Sequence, residues 1–457
     1  MNEQQKENKM GTMPIGKLIF TMSFPMMISM LVQALYNIVD SIFVSKICEN
    51  ALTAVSLAFP VQNLMSSVGI GTAVGVNALL SKFLGQKRAQ KASESAVNGL
   101  MLAVISYVVF ALAGLFFSKL YFEVQTADRE ILDYGNSYLK IVSVLSFGMF
   151  MQLMLERLLL STGKTIFSMC SQLIGAIVNI IFDPIMIFGL FGFPKLGVAG
   201  AAYATVLGQF VAAIAALIFN IKFNHEITIF SKGFRPNGEM IKKIYAVGVP
   251  SIIMMSIGSV MTFGMNKILL AFSSTAAAVF GVYFKLQSFV FMPVFGINSG
   301  MVPVIAYNYG AANKKRITKT IKICAIAAVC IMIAGTAVMQ LIPDVLLSFF
   351  EASQTMLDIG ATALRIISIS FPFAGFCIIM GSTFQALGDG IKSMITSIVR
   401  QLVVLLPSAY LLSLTGEVSN VWWAFPISEI SSLLLSLVFV ARVYRQKIKP
   451  LGDVKNA

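Results

Sequence analysis

The chain consists of long apolar runs separated by short polar ones. Each run has roughly 20 residues, enough for a helix that crosses a hydrocarbon core of about 30 Å. The pattern predicts twelve such helices, near residues 16–43, 53–80, 95–119, 133–155, 166–190, 198–221, 242–270, 276–305, 320–343, 357–384, 392–414 and 421–441. Because lipid leaves backbone polar groups to be satisfied within helices, the predicted fold is an all-α, polytopic membrane protein.

Charged residues divide between two sets of loops. One set is basic and includes KFLGQKRAQK, NKKRITKTIK and ARVYRQKIKP; the other is mainly acidic and includes YFEVQTADREILD, PDVLLSFFEASQ and TGEVSN. Since Lys and Arg accumulate in cytoplasmic loops, both termini are predicted to be cytoplasmic. Topology and contact with anionic membrane lipid then explain the net charge of +14, and no nucleic-acid partner is expected.

The composition is typical of a membrane protein, and the sequence contains few features that indicate an enzyme. Of 457 residues, 57% are hydrophobic and 12% charged, whereas soluble proteins carry about 25% charged residues. The five cysteines lack the spacing of a metal or redox motif and are interpreted as small core residues. No nucleophile–base set, metal cluster or phosphate-binding loop is found, so we expect no enzyme activity, no cofactor and no structural metal.

The sequence repeats itself once, at a constant offset along the chain. This repeat offset takes Pro25 to Pro250, Gly71 to Gly296, Gly163 to Gly388 and Ser168 to Ser393. The repeat predicts an amino-terminal six-helix lobe at 1–222, a cytoplasmic connector at 223–241 and a carboxy-terminal six-helix lobe at 242–457. Six spans per half give parallel repeats related by a pseudo-two-fold axis along the membrane normal, with a cleft between lobes that opens to alternate sides.

The two halves differ at a few polar positions inside the predicted spans. Asp40 corresponds to Met265, Asp183 to Ser408, Asn179 to Val404, Thr205 to Ile430 and Asn37 to Thr262. From this comparison we expect the first half alone to keep acids inside its spans. Since an acid in a membrane span is costly, the asymmetry predicts chemistry in one lobe.

Asp183 is the centre of this prediction. Asn179 lies four residues earlier and so shares its helix face, while Pro184 frees the carbonyl of Ile180 and predicts a supporting kink. At a similar predicted depth, Asp40 and Thr205 complete a set of oxygen ligands suited to a proton or to transient binding of Na⁺. The alternative is that Asp183 and Pro184 only cap or kink a helix, with Asp40 in the outer interface.

Other polar residues allow weaker predictions. The residues that could line the substrate cleft are Asn37, Gln62, Tyr283, Gln287 and Met292. Lys285, Arg365 and Arg400 could line the cleft or reach an interface. Glu156 and Arg157 could form a local ion pair or a vestibule contact.

Several segments resemble the multidrug and toxic compound extrusion (MATE) transporters. They include SFPMMISMLVQALYNIVDSIFVSK, STGKTIFSMCSQLIGAIVNIIFDPIMIFG, GVAGAAYATVLGQ and MPVFGINSGMVPVIAYNYGAANKKRI, and the similarity is greatest to a bacterial branch that contains a staphylococcal multidrug exporter. The resemblance assigns cation coupling to Asp40, Asn179, Asp183 and Thr205. Some relatives place acids in the carboxy lobe; because this chain has Lys267, Lys285 and Arg400 there and no Asp, a second site is expected to be absent.

The resemblance implies a multidrug efflux antiporter that exports organic, often cationic and amphipathic, small molecules in exchange for H⁺ or Na⁺ by alternating access. The alternative is a flippase or exporter of a lipid-linked or other endogenous metabolite, since relatives of the fold act in this way. We expect a monomer in the bacterial cytoplasmic membrane, with membrane lipid as its other partner.

Overall fold

The computed structural model describes residues 8–229, 236–350 and 353–451, which contain helices and no strand. In the first half the helices are α1 (Lys9–Thr12), α2 (Ile15–Ser45), α3 (Glu49–Gly85), α4 (Ala89–Gln125), α5 (Arg129–Val144), α6 (Phe147–Ser161), α7 (Thr165–Phe188) and α8 (Val198–Phe223). A short 3-10 turn at Leu190–Gly192 separates α7 from α8.

The second half continues with the same order of long helices. These are α9 (Gly238–Leu270), α10 (Ser274–Gly310), α11 (Lys314–Leu341), α12 (Pro343–Ser348), α13 (Gln354–Ser368), α14 (Phe371–Ala386), α15 (Gly390–Ile398), α16 (Leu406–Ser413), α17 (Val418–Val421) and α18 (Ala424–Val443). Two segments of π-helix, Val399–Leu405 and Tyr444–Ile448, follow α15 and α18.

These helices match the predicted spans. Ten continuous helical segments are long and apolar enough to cross a membrane, including the composite segments Gly390–Ser413 and Val418–Ile448, and two bent pairs bring the number to twelve if each pair is one span. The bends are 47° between α5 and α6 and 48° between α13 and α14. The predicted all-α, polytopic membrane fold is confirmed by these described helices.

The internal repeat is also visible in the backbone. Gly163 and Gly388, which the repeat offset relates, both adopt a positive φ, of 88° and 78°. Lys87 and Ala312, separated by the same offset, adopt φ values of 58° and 55°, a conformation that side chains other than glycine rarely take. Each half therefore turns its chain in the same way at these two places.

The chain forms two compact units whose boundaries fall inside helices. The amino-terminal unit comprises Ile28–Ile252, and the carboxy-terminal unit combines Met1–Met27 with Ile253–Ala457. The boundaries in α2 and α9 are again separated by the repeat offset. The lobes predicted from the repeat, 1–222 and 242–457 with a connector at 223–241, remain predictions.

Within the amino-terminal unit, glycines of α3 bring its backbone against the first half of α9. A Cβ placed on Gly75 would lie 2.2 Å from the carbonyl oxygen of Ile244, and one on Gly71 would lie 2.4 Å from the side chain of Ile252. No larger residue fits without moving the helices apart. This contact fixes α9 beside α3.

The carboxy-terminal unit holds the start of the chain in the equivalent way. A Cβ on Gly300 would lie 2.6 Å from the Ser23 hydroxyl oxygen. The Arg316 guanidinium donates to the carbonyl oxygens of Met10 and Met13 at 3.0 and 2.7 Å, and the Asn308 amide also donates to Met10 at 3.0 Å. The first residues described are thus anchored to helices of the second half.

Outside the spans, Asp389 joins the turn before α15 to the end of the last helix. Its carboxylate contacts Lys392 at 2.7 Å and Lys447 at 2.9 Å, and Lys447 also donates to the carbonyl oxygen of Leu387 at 2.9 Å. Burial alone would raise the pKa of Asp389, but the two ammonium groups outweigh it and hold that pKa below its usual value.

We expect Gly75→Ala to destabilise the protein by about 1–3 kcal/mol, the usual cost of overpacking, because the new methyl group meets backbone rather than a mobile side chain. Gly281→Ala is the matched control, since a Cβ at this helical position meets nothing within 4 Å. Thermal unfolding of the purified variants in detergent measures both. Equal melting temperatures for the two variants would contradict the close helix contact.

The lowered pKa of Asp389 makes its contribution dependent on pH. Its ion pairs stabilise the folded state above the unfolded pKa of about 3.9, and this stabilisation is lost as the pH falls through the lower folded pKa. We expect the melting temperature of Asp389→Asn to be below that of the wild type at neutral pH and to converge with it toward about pH 3. A constant difference across that range would exclude this origin.

Candidate functional site

The site begins with a close contact between α7 and α8. A Cβ on Gly208 would lie 2.7 Å from the carbonyl oxygen of Gly175 and 3.2 Å from the Cβ of Asn179. Since glycine at both positions lets the backbones touch, short polar side chains can meet across the two helices. This contact brings Asn179 opposite Thr205.

Asn179 connects the residues predicted on these two helices. Its side-chain amide donates to Oδ1 of Asp183 at 3.3 Å and lies 3.5 Å from Oγ1 of Thr205. Asn179 is 3% exposed and Asp183 is completely buried. The amide thus holds one carboxylate oxygen and leaves the other available.

Asp40 reaches the same place from α2. Its carboxyl group and that of Asp183 are close enough to interact with each other electrostatically. Two carboxylates this close repel strongly when both are ionised, and a shared proton or a bound cation relieves the repulsion. All four residues predicted for cation coupling are therefore on elements that meet in the amino-terminal unit.

Three oxygens of this cluster have no hydrogen-bond partner among the described residues. They are Oδ1 of Asp40, Oδ1 of Asn179 and Oδ2 of Asp183, all buried. A buried acceptor without a donor is costly, and hard cations prefer oxygen ligands. The donor set fits a proton or Na⁺. The described residues contain no group of three or more His, Cys, Asp or Glu that could hold a metal ion.

The sequence analysis missed two tyrosines at this site. Tyr36, one turn before Asp40, and Tyr138 on α5 lie close enough to both carboxyl groups to interact with them electrostatically. Gln62 donates to the Tyr138 hydroxyl at 3.2 Å. Both tyrosines could have been found by comparing the halves, because Tyr36 corresponds to Met261 and Tyr138 to Ala363, which carry no hydroxyl group.

Pro184 follows Asp183 inside α7, and the helix continues to Phe188. Because proline has no amide hydrogen, the carbonyl oxygen of Ile180 lacks its usual helical donor. Gly189, with φ of 75°, then ends the helix in the left-handed conformation. The supporting kink remains a prediction.

The residues predicted for the substrate cleft fall in both units. Asn37 is exposed and Gln62 half-buried in the amino-terminal unit. In the carboxy-terminal unit Tyr283 is buried against aromatic rings, while Gln287 and Met292 are half-buried. A cleft shared by these five residues remains a prediction.

The expectation that only the first half keeps acids inside its spans is wrong. Glu429 lies buried in α18 and forms an ion pair with Arg400 of the Val399–Leu405 π-helix at 2.8 Å. The physical reason is that the Arg400 guanidinium needs a counter-charge in an apolar interior. Glu429 corresponds to Ala204 in the first half, so the polar residues of the first half give no sign of it.

Glu156 is a second buried acid of the amino-terminal unit. It accepts hydrogen bonds from the side chains of Gln152 at 3.0 Å, Ser171 at 3.1 Å and Gln172 at 2.8 Å. Arg157 interacts with it electrostatically as well, and the suggested local ion pair or vestibule contact stays a prediction. This carboxylate is well satisfied, unlike the Asp40 and Asp183 pair.

Comparison with known proteins places the chain among transporters. The family model MatE matches residues 25–185 and 250–411. The chain belongs to the MatE family. The two matched segments of this MATE protein begin at positions 25 and 250, which the internal repeat relates to each other.

Curated relatives of this MATE protein are multidrug export proteins. The multidrug export protein MepA of Staphylococcus haemolyticus is 29% identical over 439 residues, which cover 93% of each chain. MepA of a bovine strain of Staphylococcus aureus is 27% identical over 432 residues, covering 93% of this chain and 94% of that protein.

Solved MATE structures share the fold over almost their whole length. An outward-facing multidrug resistance MATE transporter of the MOP superfamily has a TM-score of 0.91 and 26% identity, covering 98% of this chain and 99% of that one. A MOP superfamily transporter from Pyrococcus furiosus, described as having a binding pocket of reverse polarity that suggests a different function, has a TM-score of 0.90, 25% identity and the same coverage.

The Arg400–Glu429 pair allows a test of its structural role. Because Glu429→Leu leaves the guanidinium uncompensated, we expect it to destabilise the protein by about 3 kcal/mol, whereas adding Arg400→Met should restore most of that loss. Thermal unfolding of the single and double variants measures the difference. A double variant less stable than the single one would contradict the assignment.

Proposed function

We propose that this MATE protein exports organic, often cationic, small molecules in exchange for H⁺ or Na⁺ by alternating access. The observation that carries the proposal is the buried carboxyl pair of Asp40 and Asp183, with its unpartnered oxygens. The naming of its relatives as multidrug export proteins supports the substrate class. The coupling ion is a transported substrate rather than a resident cofactor.

Each residue of the site has a distinct task in this proposal. The Asn179 amide uses its donors on Asp183 and Thr205, so its own oxygen stays free as an acceptor for the ion. Asp183 and Asp40 share the proton or bind Na⁺ through their remaining oxygens. When the ion leaves, the two carboxylates repel each other, because the interior screens charge poorly. This repulsion makes the loaded and empty sites prefer different arrangements of α2 and α7.

The site is proposed to work in the bacterial cytoplasmic membrane with both termini in the cytoplasm. The basic loops of the sequence support this orientation. One chain holds all four coupling residues in one unit, so a monomer suffices for ion binding.

Export of a lipid-linked or other endogenous metabolite is the second candidate. The Pyrococcus furiosus transporter, with its reverse-polarity pocket, is a MATE-like structure for which a different function is suggested. Dye efflux and flipping of a lipid-linked oligosaccharide, measured on the same vesicles, distinguish these two candidates.

We expect proteoliposomes containing the wild type to expel an ethidium-like dye under an imposed ion gradient, and Asp40→Asn and Asp183→Asn to expel it no faster than empty vesicles. The physical reason is that an amide can neither release a proton nor neutralise Na⁺. Imposing a pH gradient and a sodium gradient separately identifies the coupling ion.

Asp133→Asn is the matched control, because Asp133 is an exposed carboxylate of the same unit. It should transport like the wild type. Full transport by Asp183→Asn and Asp40→Asn would refute the role of the pair, and wild-type vesicles that flip a lipid-linked sugar but never move dye would favour the second candidate.

A further inference from the structure

The carboxy-terminal unit contains an open apolar groove between α11 and α18, with α14 as its floor. It has a volume of about 560 Å³, and no polar atom contributes to its surface. Ile321 and Ala325 line it from α11, Met380 and Phe384 from α14, and Val440 from α18. The three helices belong to candidate membrane spans, so the groove opens toward hydrocarbon rather than water.

In the first half of the chain, the equivalent place is filled. The repeat offset relates Ile321, Met380, Thr383 and Phe384 to Ala96, Leu155, Leu158 and Leu159. These four belong to one buried core cluster together with Ile227 and Ile229, which follow α8 and are 7% and 8% exposed. A hydrogen bond of 2.9 Å from the Thr228 amide to the Ser93 hydroxyl holds this segment on α4.

The comparison of the two halves indicates what kind of group would fill the groove. In the amino-terminal unit, the helices equivalent to these three share one buried core cluster with two branched aliphatic side chains, Ile227 and Ile229. In the carboxy-terminal unit the described residues that follow α18 leave the groove open. An apolar ligand of chain-like shape would replace the two isoleucines.

Charge distinguishes the two places as well. Lys322 lines the groove, whereas its counterpart is Val97. Other exposed basic residues lie within four positions of a lining residue, with uncharged or acidic counterparts: Lys319 with Glu94, Arg442 with Leu217, Arg445 with Asn220 and Lys449 with Asn224. The filled place keeps the exposed Lys91 and Lys222 in the equivalent stretches, so the open groove is bordered by more positive charge than the filled place.

We propose that this groove binds an anionic phospholipid, with an acyl chain between α11 and α18 and its phosphate at Lys322 and the neighbouring basic side chains. The apolar walls select the acyl chain by excluding polar groups, and the basic border selects the headgroup by charge. In the predicted topology this end of α11 faces the cytoplasm, where the inner leaflet supplies the lipid.

The test measures lipid retention by the full-length protein. Purified, delipidated protein is titrated with phosphatidylglycerol or phosphatidylcholine, and bound lipid is counted by native mass spectrometry. We expect one phosphatidylglycerol per chain that Ala325→Phe removes by filling the groove. We expect Lys322→Gln to lower the preference for phosphatidylglycerol over phosphatidylcholine about fivefold, the effect of one basic side chain near anionic lipid.

Matched variants distinguish lipid binding in the groove from general effects of a larger side chain or a lost charge. Leu100→Phe, at the counterpart of Ala325, and Lys140→Gln, an exposed lysine elsewhere, should bind phosphatidylglycerol like the wild type. If Ala325→Phe does not fold, Ala325→Leu, which copies the residue of the filled counterpart, replaces it. Unchanged thermal unfolding verifies the fold of each variant.

Four outcomes would overturn the proposal. The first is equal retention of the two lipids by the wild type, and the second is full retention by the groove-filling variant. The third is loss of the bound lipid in millimolar inorganic phosphate, which would mean that the border binds phosphate alone. The fourth is binding that occurs only after deletion of residues 452–457, which would make that segment the occupant of the groove.

Discussion

The site depends on direct backbone contact between α7 and α8 at Gly175 and Gly208. Helices separated by ordinary side chains would place Asn179 and Thr205 too far apart for one amide to serve both Thr205 and Asp183. The same kind of contact, at Gly75 of α3, positions the first half of α9. Small residues therefore determine which polar groups can meet in this protein. Apolar side chains fill the remaining space and face the lipid.

Four acids inside candidate membrane spans, Asp40, Glu156, Asp183 and Glu429, differ in how they are neutralised. Glu156 accepts three hydrogen bonds from uncharged donors, and Glu429 is paired with Arg400. Asp40 and Asp183 have mainly each other and one amide. A satisfied carboxylate gains little from an added ion, whereas two neighbouring carboxyl groups that repel each other gain a great deal. Residue type alone does not distinguish these cases, because partners from other helices decide them.

Most of the fold could be predicted from the sequence, because the apolar runs and the constant repeat offset indicate up to twelve spans and their duplication. The sequence also identified Asp40, Asn179, Asp183 and Thr205, because acids and amides are conspicuous inside apolar runs. Tyr138 and Glu429 were missed for different reasons. A tyrosine in a span is unremarkable until a carboxylate lies beside it, and Glu429 has the apolar counterpart Ala204 in the first half. Bends such as that between α5 and α6 depend on packing, which periodicity does not report.

The anchoring of the first described residues to the second half has a consequence for biosynthesis. Met10 is held by Asn308, 298 residues later in the chain, and the carboxy-terminal unit begins with Met1–Met27. A ribosome delivers that opening segment long before its partners exist. The opening turns must wait in the membrane or at its surface while the entire amino-terminal unit is made. The contacts of the residues synthesised first therefore form only after Asn308 has been made.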